Sequence, residues 1–205
     1  GEVLGFAACP TVAVDPEFRF PPSALAGKPA CHLFQMPSDA FFAAHDPLAL
    51  LGRPVDLAYL DGLHLCETLM RDFLATERVC TRDSLVLLHD CIPLDLPMAC
   101  RDPEDAATRA GSVAPGWWTG DVWKMVHVLR RHRPDLAILG FTAPPTGLVV
   151  ITRLAPGNVV VPQAWRRVLA DMEALQGWED YQAYLEWLRP APTETLGQEI
   201  AALLG

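Results

Sequence analysis

The chain has 205 residues, enough for one compact domain with a substantial core and few for two. Half of them are apolar (51%) and a fifth are charged (20%), a globular composition that excludes a disordered chain. A formal net charge of -9 argues against a broad electrostatic grip on nucleic-acid phosphates; acidity of this size ordinarily keeps a protein in solution.

In chain order, "TVAVD" (Thr11 to Asp15) reads as a first strand and "ACHLFQM" (Ala30 to Met36) as a second. Ser38 to His45 is a helix candidate. "VDLAYLD" (Val55 to Asp61) is a strand apolar on both faces, as expected of a sheet covered by helices. Leu65 to Val79 is the next helix, with Leu65, Leu69, Met70 and Phe73 on one face and Glu67, Arg71 and Asp72 elsewhere. "SLVLLHD" (Ser84 to Asp90) is a strand. Cys91 to Thr119 is a long Pro- and Gly-bearing segment, of a length that usually covers a site. Gly120 to Arg131 is helical, and "DLAILGF" and Thr146 to Leu154 are strands joined by the helix-free turn "FTAPPTGL", hence an antiparallel pair.

Strands alternating with helices imply βαβ units with right-handed crossovers and ligands at the carboxyl tips of the strands. The expected fold is therefore α/β: a Rossmann-like, doubly wound, mostly parallel sheet with a final antiparallel strand and helices on both faces. We expect this domain to span residues 1–154. Residues 155–205 are expected to form a helical C-terminal tail packed on it. There, Trp165, Trp178, Tyr181, Tyr184 and Trp187 are spaced for core packing or for a homo-oligomer contact rather than for a ligand cage. Six cysteines without C-x-x-C or paired spacing exclude a disulfide framework or zinc knuckle and point to a reducing cytoplasm. No apolar run reaches the ~18 residues of a membrane span, and no signal peptide opens the chain.

Asp15 ends the first strand and is followed by Pro16, which turns the chain out of the sheet. An acid there can accept bonds from both hydroxyls of a ribose, or simply cap a solvent-facing loop. Asp61 and Asp90 end two further strands. If these are neighbours, the tips lie ~4.8 Å apart, and two carboxylates so close need a shared proton or a cation between them. Magnesium or another hard divalent cation takes such oxygen ligands; otherwise Asp61 caps the next helix and Asp90 meets solvent. His64 follows Asp61 by three positions and can accept a proton near neutral pH. Gly62 is expected to give the turn a conformation closed to residues with a Cβ, letting His64 project over the strand tips. His89 need not share a role with Asp90, because adjacent strand residues point to opposite faces.

The stretches "VDLAYLDGLHLCETLMRDF", "DSLVLLHD", "GDVWKMVHVLRRHRPDLAI" and "TGLVVITRL" together resemble the fourth to seventh strands of a class I S-adenosylmethionine-dependent methyltransferase. The likeness is greatest to small-molecule and sugar O-methyltransferases, and runs from about Thr11 to Leu154. It implies that Asp15 binds the cofactor ribose, that Ser38 and Asp39 in "PSD" touch adenine, and that Asp61 and Gly62 lie near the methionine end. It further implies Asp61 and Asp90 as metal ligands and His64 as the base that deprotonates a substrate hydroxyl. Relatives that use a metal often carry two adjacent acids where this chain has His89 and Asp90. The family's first strand and Gly-rich loop have no counterpart in "GEVLGFAACP": either Gly1 and Gly5 are a shortened remnant, or the sequence begins partway into the domain.

The leading expectation is O-methylation of a hydroxyl on a small molecule or glycan; the alternative is a catalytically silent domain that keeps the fold for binding or assembly. An NAD-dependent oxidoreductase lacks its G-x-G-x-x-G here, and a hydrolase its G-x-S-x-G. "PGWWTGDVWK" is a candidate substrate lid: Trp117 and Trp118 can stack on a ring while Asp121 and Lys124 bond polar groups, or these residues can pack the next helix with Thr119 as its cap. The whole reading expects Asp15, Asp61 and Asp90 to converge on one rim with His64 leaning over it.

Overall fold

The computed structural model describes residues 2–204, which divide into two compact units, one ending at Val55 and one beginning at Asp56. In the first unit, α1 (Glu2–Phe6) precedes β1 (Thr11–Val14), a 3-10 turn (Pro22–Leu25), β2 (Cys31–Phe34), α2 (Ser38–Ala44) and α3 (Pro47–Leu51). The β-branched Thr11, Val12 and Val14 favour the extended backbone of β1. It pairs in parallel with β2 from Thr11 opposite Cys31 to Val14 opposite Phe34. Phe34 packs on Phe41 at 4.9 Å between ring centroids and on His45 at 4.4 Å, which seats α2 against β2. Asp46 caps α3 by accepting from the Leu48 N–H at 2.9 Å, with Pro47 at the first helical position.

The second unit begins within β3 (Val55–Leu60) and carries α4 (Cys66–Glu77), β4 (Cys80–His89), α5 (Ala106–Arg109), α6 (Trp123–His132), β5 (Ala137–Phe141) and β6 (Leu148–Thr152). Then come α7 (Val160–Gln163), α8 (Trp165–Glu173), α9 (Trp178–Leu188), a 3-10 turn (Thr193–Thr195) and α10 (Leu196–Leu204). Its sheet runs in the order β3-β4-β6-β5. The final strand β6 is antiparallel to both neighbours, with Val86 opposite Ile151 on one side and Ile138 opposite the same Ile151 on the other. The short "FTAPPTGL" turn therefore inserts β6 between two earlier strands. The architecture is mixed α/β and compatible with a Rossmann-like methyltransferase fold. The described strands form two sheets rather than the single mostly parallel one expected, because β1 and β2 make a sheet of their own.

Val86 and Leu88 of β4, Val149 to Ile151 of β6, Met70 and Phe73 of α4 and Met125, Val126 and Leu129 of α6 are all buried. Leu69, Met70 and Phe73 are buried as the helical period requires, but Asp72, expected off that face, is buried too. β3 is not apolar-buried on both faces. It lies at the edge of its sheet, and Leu57 is 57% exposed. The end of α4 is tied to the end of α6 by Arg133, which donates to both Glu77 oxygens at 2.8 Å and to Asp135 at 2.8 Å, while Glu77 also accepts from the Ala155 N–H at 3.0 Å.

The tail aromatics Tyr181 and Tyr184 are core, packing on Trp123 at 5.3 and 5.7 Å. Their hydroxyls donate to the carbonyls of Pro93 and Cys91, securing the chain just after β4. All six cysteines are free thiols. Among the described residues no helix is long and apolar enough to cross a membrane.

Candidate active site

Two strand ends build the site. β3 ends at Leu60, and Asp61 to Leu65 carry the chain into α4. β4 ends at His89, and Asp90 adopts a left-handed backbone at φ 59°. That turn breaks the strand's alternation, so the two successive side chains reach the same place. Strand alternation did not require His89 to join Asp90, but the geometry brings them together. His89 Nδ1 lies 3.3 Å from Asp61 Oδ1 and 3.3 Å from Asp90 Oδ2. His64 Nε2 lies 3.2 Å from Asp90 Oδ2 and 3.5 Å from Asp61 Oδ1. The Thr146 hydroxyl donates to the remaining Asp90 oxygen, so the buried carboxylate has partners on both sides.

The electrostatics follow from these contacts. Burial alone would raise the Asp61 carboxyl, but bonds from His64 and His89 outweigh it and pull it down to about 2. Bonds to Asp61 and then Asp90 push His89 up to about 10 against its partial burial. Burial disfavours the charged form of His64, yet the same two carboxylates and the Trp118 carbonyl raise it on balance. His64 Nδ1 sits 3.1 Å from that carbonyl, which can only accept, so Nδ1 carries a proton and Nε2 is the exchangeable nitrogen.

The loop after Cys91 presses directly on His64. The Trp118 ring stacks on the imidazole at 5.1 Å, and its indole N–H donates to the Cys100 carbonyl at 2.7 Å. Gly120 is the glycine this contact demands. At φ +60°, a Cβ there would stand 1.8 Å from the His64 carbonyl oxygen. Gly62 has no such role: its φ is not left-handed, and a Cβ on it would meet only Asp72 Oδ2 at an ordinary 3.5 Å.

Asp121 turns inward, its Oδ1 accepting from the Cys66 N–H at 2.9 Å and so capping α4 from 55 residues away. Its Oδ2 takes Arg101 at 3.0 Å, with Lys124 at 3.6 Å, and Arg101 also binds Glu67. Trp117 is 48% exposed. Thr119 does not cap α6; its hydroxyl donates to backbone carbonyls at Met98 and Gly120.

The remaining candidates lie in the first unit. Parallel pairing puts Asp15, just past β1, and Ser38 and Asp39, at the start of α2, at the same carboxyl end of that two-stranded sheet. The Asp15 N–H donates to the Phe34 carbonyl at 3.2 Å, and its exposed Oδ1 accepts from the Glu17 N–H at 2.7 Å. Asp61, His64 and Asp90 each offer a ligand atom, all within 4.8 Å of one another, a donor set suited to a divalent cation. The His64 tautomer is the one a metal ligand needs. Cation ligation and proton abstraction both use Nε2, so they exclude each other at any one moment. Cys66, Glu67 and Asp121 also cluster, but Arg101 already supplies the positive charge between Glu67 and Asp121.

An α/β unit with acids and imidazoles gathered where two strands end has the anatomy of an enzyme built on strand tips. Residues 12–91, less than half of the chain's length, match the model of a methyltransferase domain. The match includes Asp15, Ser38, Asp39, Asp61, Gly62, His64, His89 and Asp90; Trp117, Trp118, Asp121 and Lys124 fall outside it. No curated protein and no solved structure matches the chain.

Proposed function

We propose that the protein is an S-adenosylmethionine-dependent O-methyltransferase whose acceptor is a hydroxyl on a small molecule or glycan, with His64 as the base. One observation carries the reading: His64 Nε2 faces Asp61 and Asp90 while Nδ1 is held on the Trp118 carbonyl. The cofactor supplies an electrophilic methyl group on a sulfonium sulfur. Neutral His64, its Nδ1 proton fixed, takes the hydroxyl proton on Nε2, and the imidazolium that forms lies 3.2 and 3.5 Å from two carboxylates that stabilise it. His89 stays protonated at neutral pH and balances one of those charges. Where a divalent cation is present, Asp61, Asp90 and His64 would hold it, and it would supply positive charge beside the acceptor oxygen. Asp15 would accept from the ribose hydroxyls, with Ser38 and Asp39 near the adenine. Positioning supplies most of the acceleration.

Isothermal titration of the intact chain with S-adenosylmethionine tests the reading. Binding is expected, and Asp15→Ala is expected to weaken it about tenfold or more, since two hydroxyls lose a charged acceptor. No binding by the unsubstituted chain would leave only a folded scaffold.

A further inference from the structure

An open cavity of about 420 Å³ is lined by Leu63, Leu65, Arg101, Asp102, Pro103 and by Trp118, whose ring stacks on that of His64. Several of its polar atoms are already engaged. The Trp118 indole N–H is bonded to the Cys100 carbonyl. Arg101 donates from Nη1 to Glu67 and Asp121 and from Nη2 to Glu67. Asp102 Oδ1 accepts from the Glu104 N–H at 2.9 Å. What the walls offer a ligand is mainly leucine, proline and indole surface, with Leu63 60% exposed although it directly precedes the proposed base.

We infer that this cavity is the acceptor site and that the acceptor is a phenol-like hydroxyl on an apolar or aromatic body, not an unsubstituted sugar. The inference rests on the methyltransferase reading for the fate of the hydroxyl, but not for the binding. A polyhydroxylated ring placed here would surrender hydrogen bonds to water and find few to replace them, which is costly. A flat apolar ring buries Leu63 and stacks on an indole held in place by its own hydrogen bond. In the balanced step, His64 Nε2 takes the phenolic proton, the oxygen bonds to the methyl carbon, and the sulfur–carbon bond breaks to leave S-adenosylhomocysteine.

The test is binding without cofactor. 2-Naphthol and methyl glucoside are titrated into the intact chain and into Leu63→Asp, a change at an exposed position that circular dichroism should show to be folded. The Trp118 indole N–H is followed by nitrogen-edited NMR. Expected results are 2-naphthol at least about tenfold tighter than the glucoside, a perturbed Trp118 resonance, and a loss of about tenfold in Leu63→Asp. Equal or tighter binding of the glucoside, or naphthol binding indifferent to Leu63→Asp, overturns the inference. If S-adenosylmethionine binds and naphthol does not, the acceptor assignment falls while the methyltransferase reading stands; the reverse result separates them the other way.

Discussion

Helix α4 has a charged cluster near each end, and the two are built to different ends. At its carboxyl terminus Arg133, 0% exposed, grips Glu77 with two bonds of 2.8 Å and Asp135 with more, a planar fork meeting planar carboxylates. A guanidinium does not surrender its proton, so this cluster can only hold. Before the amino terminus, two imidazoles and two carboxylates meet at 3.2 to 3.5 Å, with Asp61 still 38% exposed. The two imidazoles of that second cluster, unlike a guanidinium, can exchange a proton. The pairing that locks the fold is short, bidentate and sealed; the one suited to chemistry is longer, shared among four groups and open to a substrate.

The sharpest way to test this contrast is His64→Gln. Methyl transfer at saturating substrate should fall about 10²–10⁴-fold while cofactor affinity holds, because only proton abstraction is lost. A single-turnover assay checks it, and an unchanged rate would strip the second cluster of its chemical role. Arg133→Met should act oppositely, costing about 3–5 kcal/mol in urea unfolding because Glu77 is left buried without its partner. The fraction that stays folded should keep the parent turnover number, and Glu77→Gln added to Arg133→Met should recover part of the stability.

The smallest effect is one of pH. His89 binds its proton more tightly in the folded protein, about 10 against an ordinary 6.5, so its contribution is complete below pH 6.5 and is lost as pH rises through 10. Asp61 has the opposite sign. Depressed from 3.8 to about 2, it contributes above pH 3.8 and loses that contribution as pH falls through 2. Thermal melting from pH 6.5 to 10 should therefore decline less steeply in His89→Gln than in the parent. Parallel curves would show that His89 is a bystander.

Much of this was legible beforehand. The period of "LHLCETLMRDFL" placed Leu69, Met70 and Phe73 on the buried face of α4, and the "FTAPPTGL" turn implied the antiparallel last strand. "DGLH" singled out Asp61 and His64, which the structure brings together with Asp90. His89 was missed because alternation assumes an unbroken strand, and Asp90 at φ 59° ends it. What Gly120 and Asp121 do has a related cause: one stands against the His64 carbonyl and the other accepts from the Cys66 N–H. Neither contact is visible along the chain.

From the sequence by itself came the elements, their apolar faces and the acids at strand ends, since these follow from periodicity and from backbone stiffness within a few residues. Only the tertiary structure decided which of the polar groups meet, which glycine yields to a neighbour and which ion pair is sealed from water. Those outcomes depend on contacts between residues tens of positions apart, where a shift of an ångström separates a hydrogen bond from a clash.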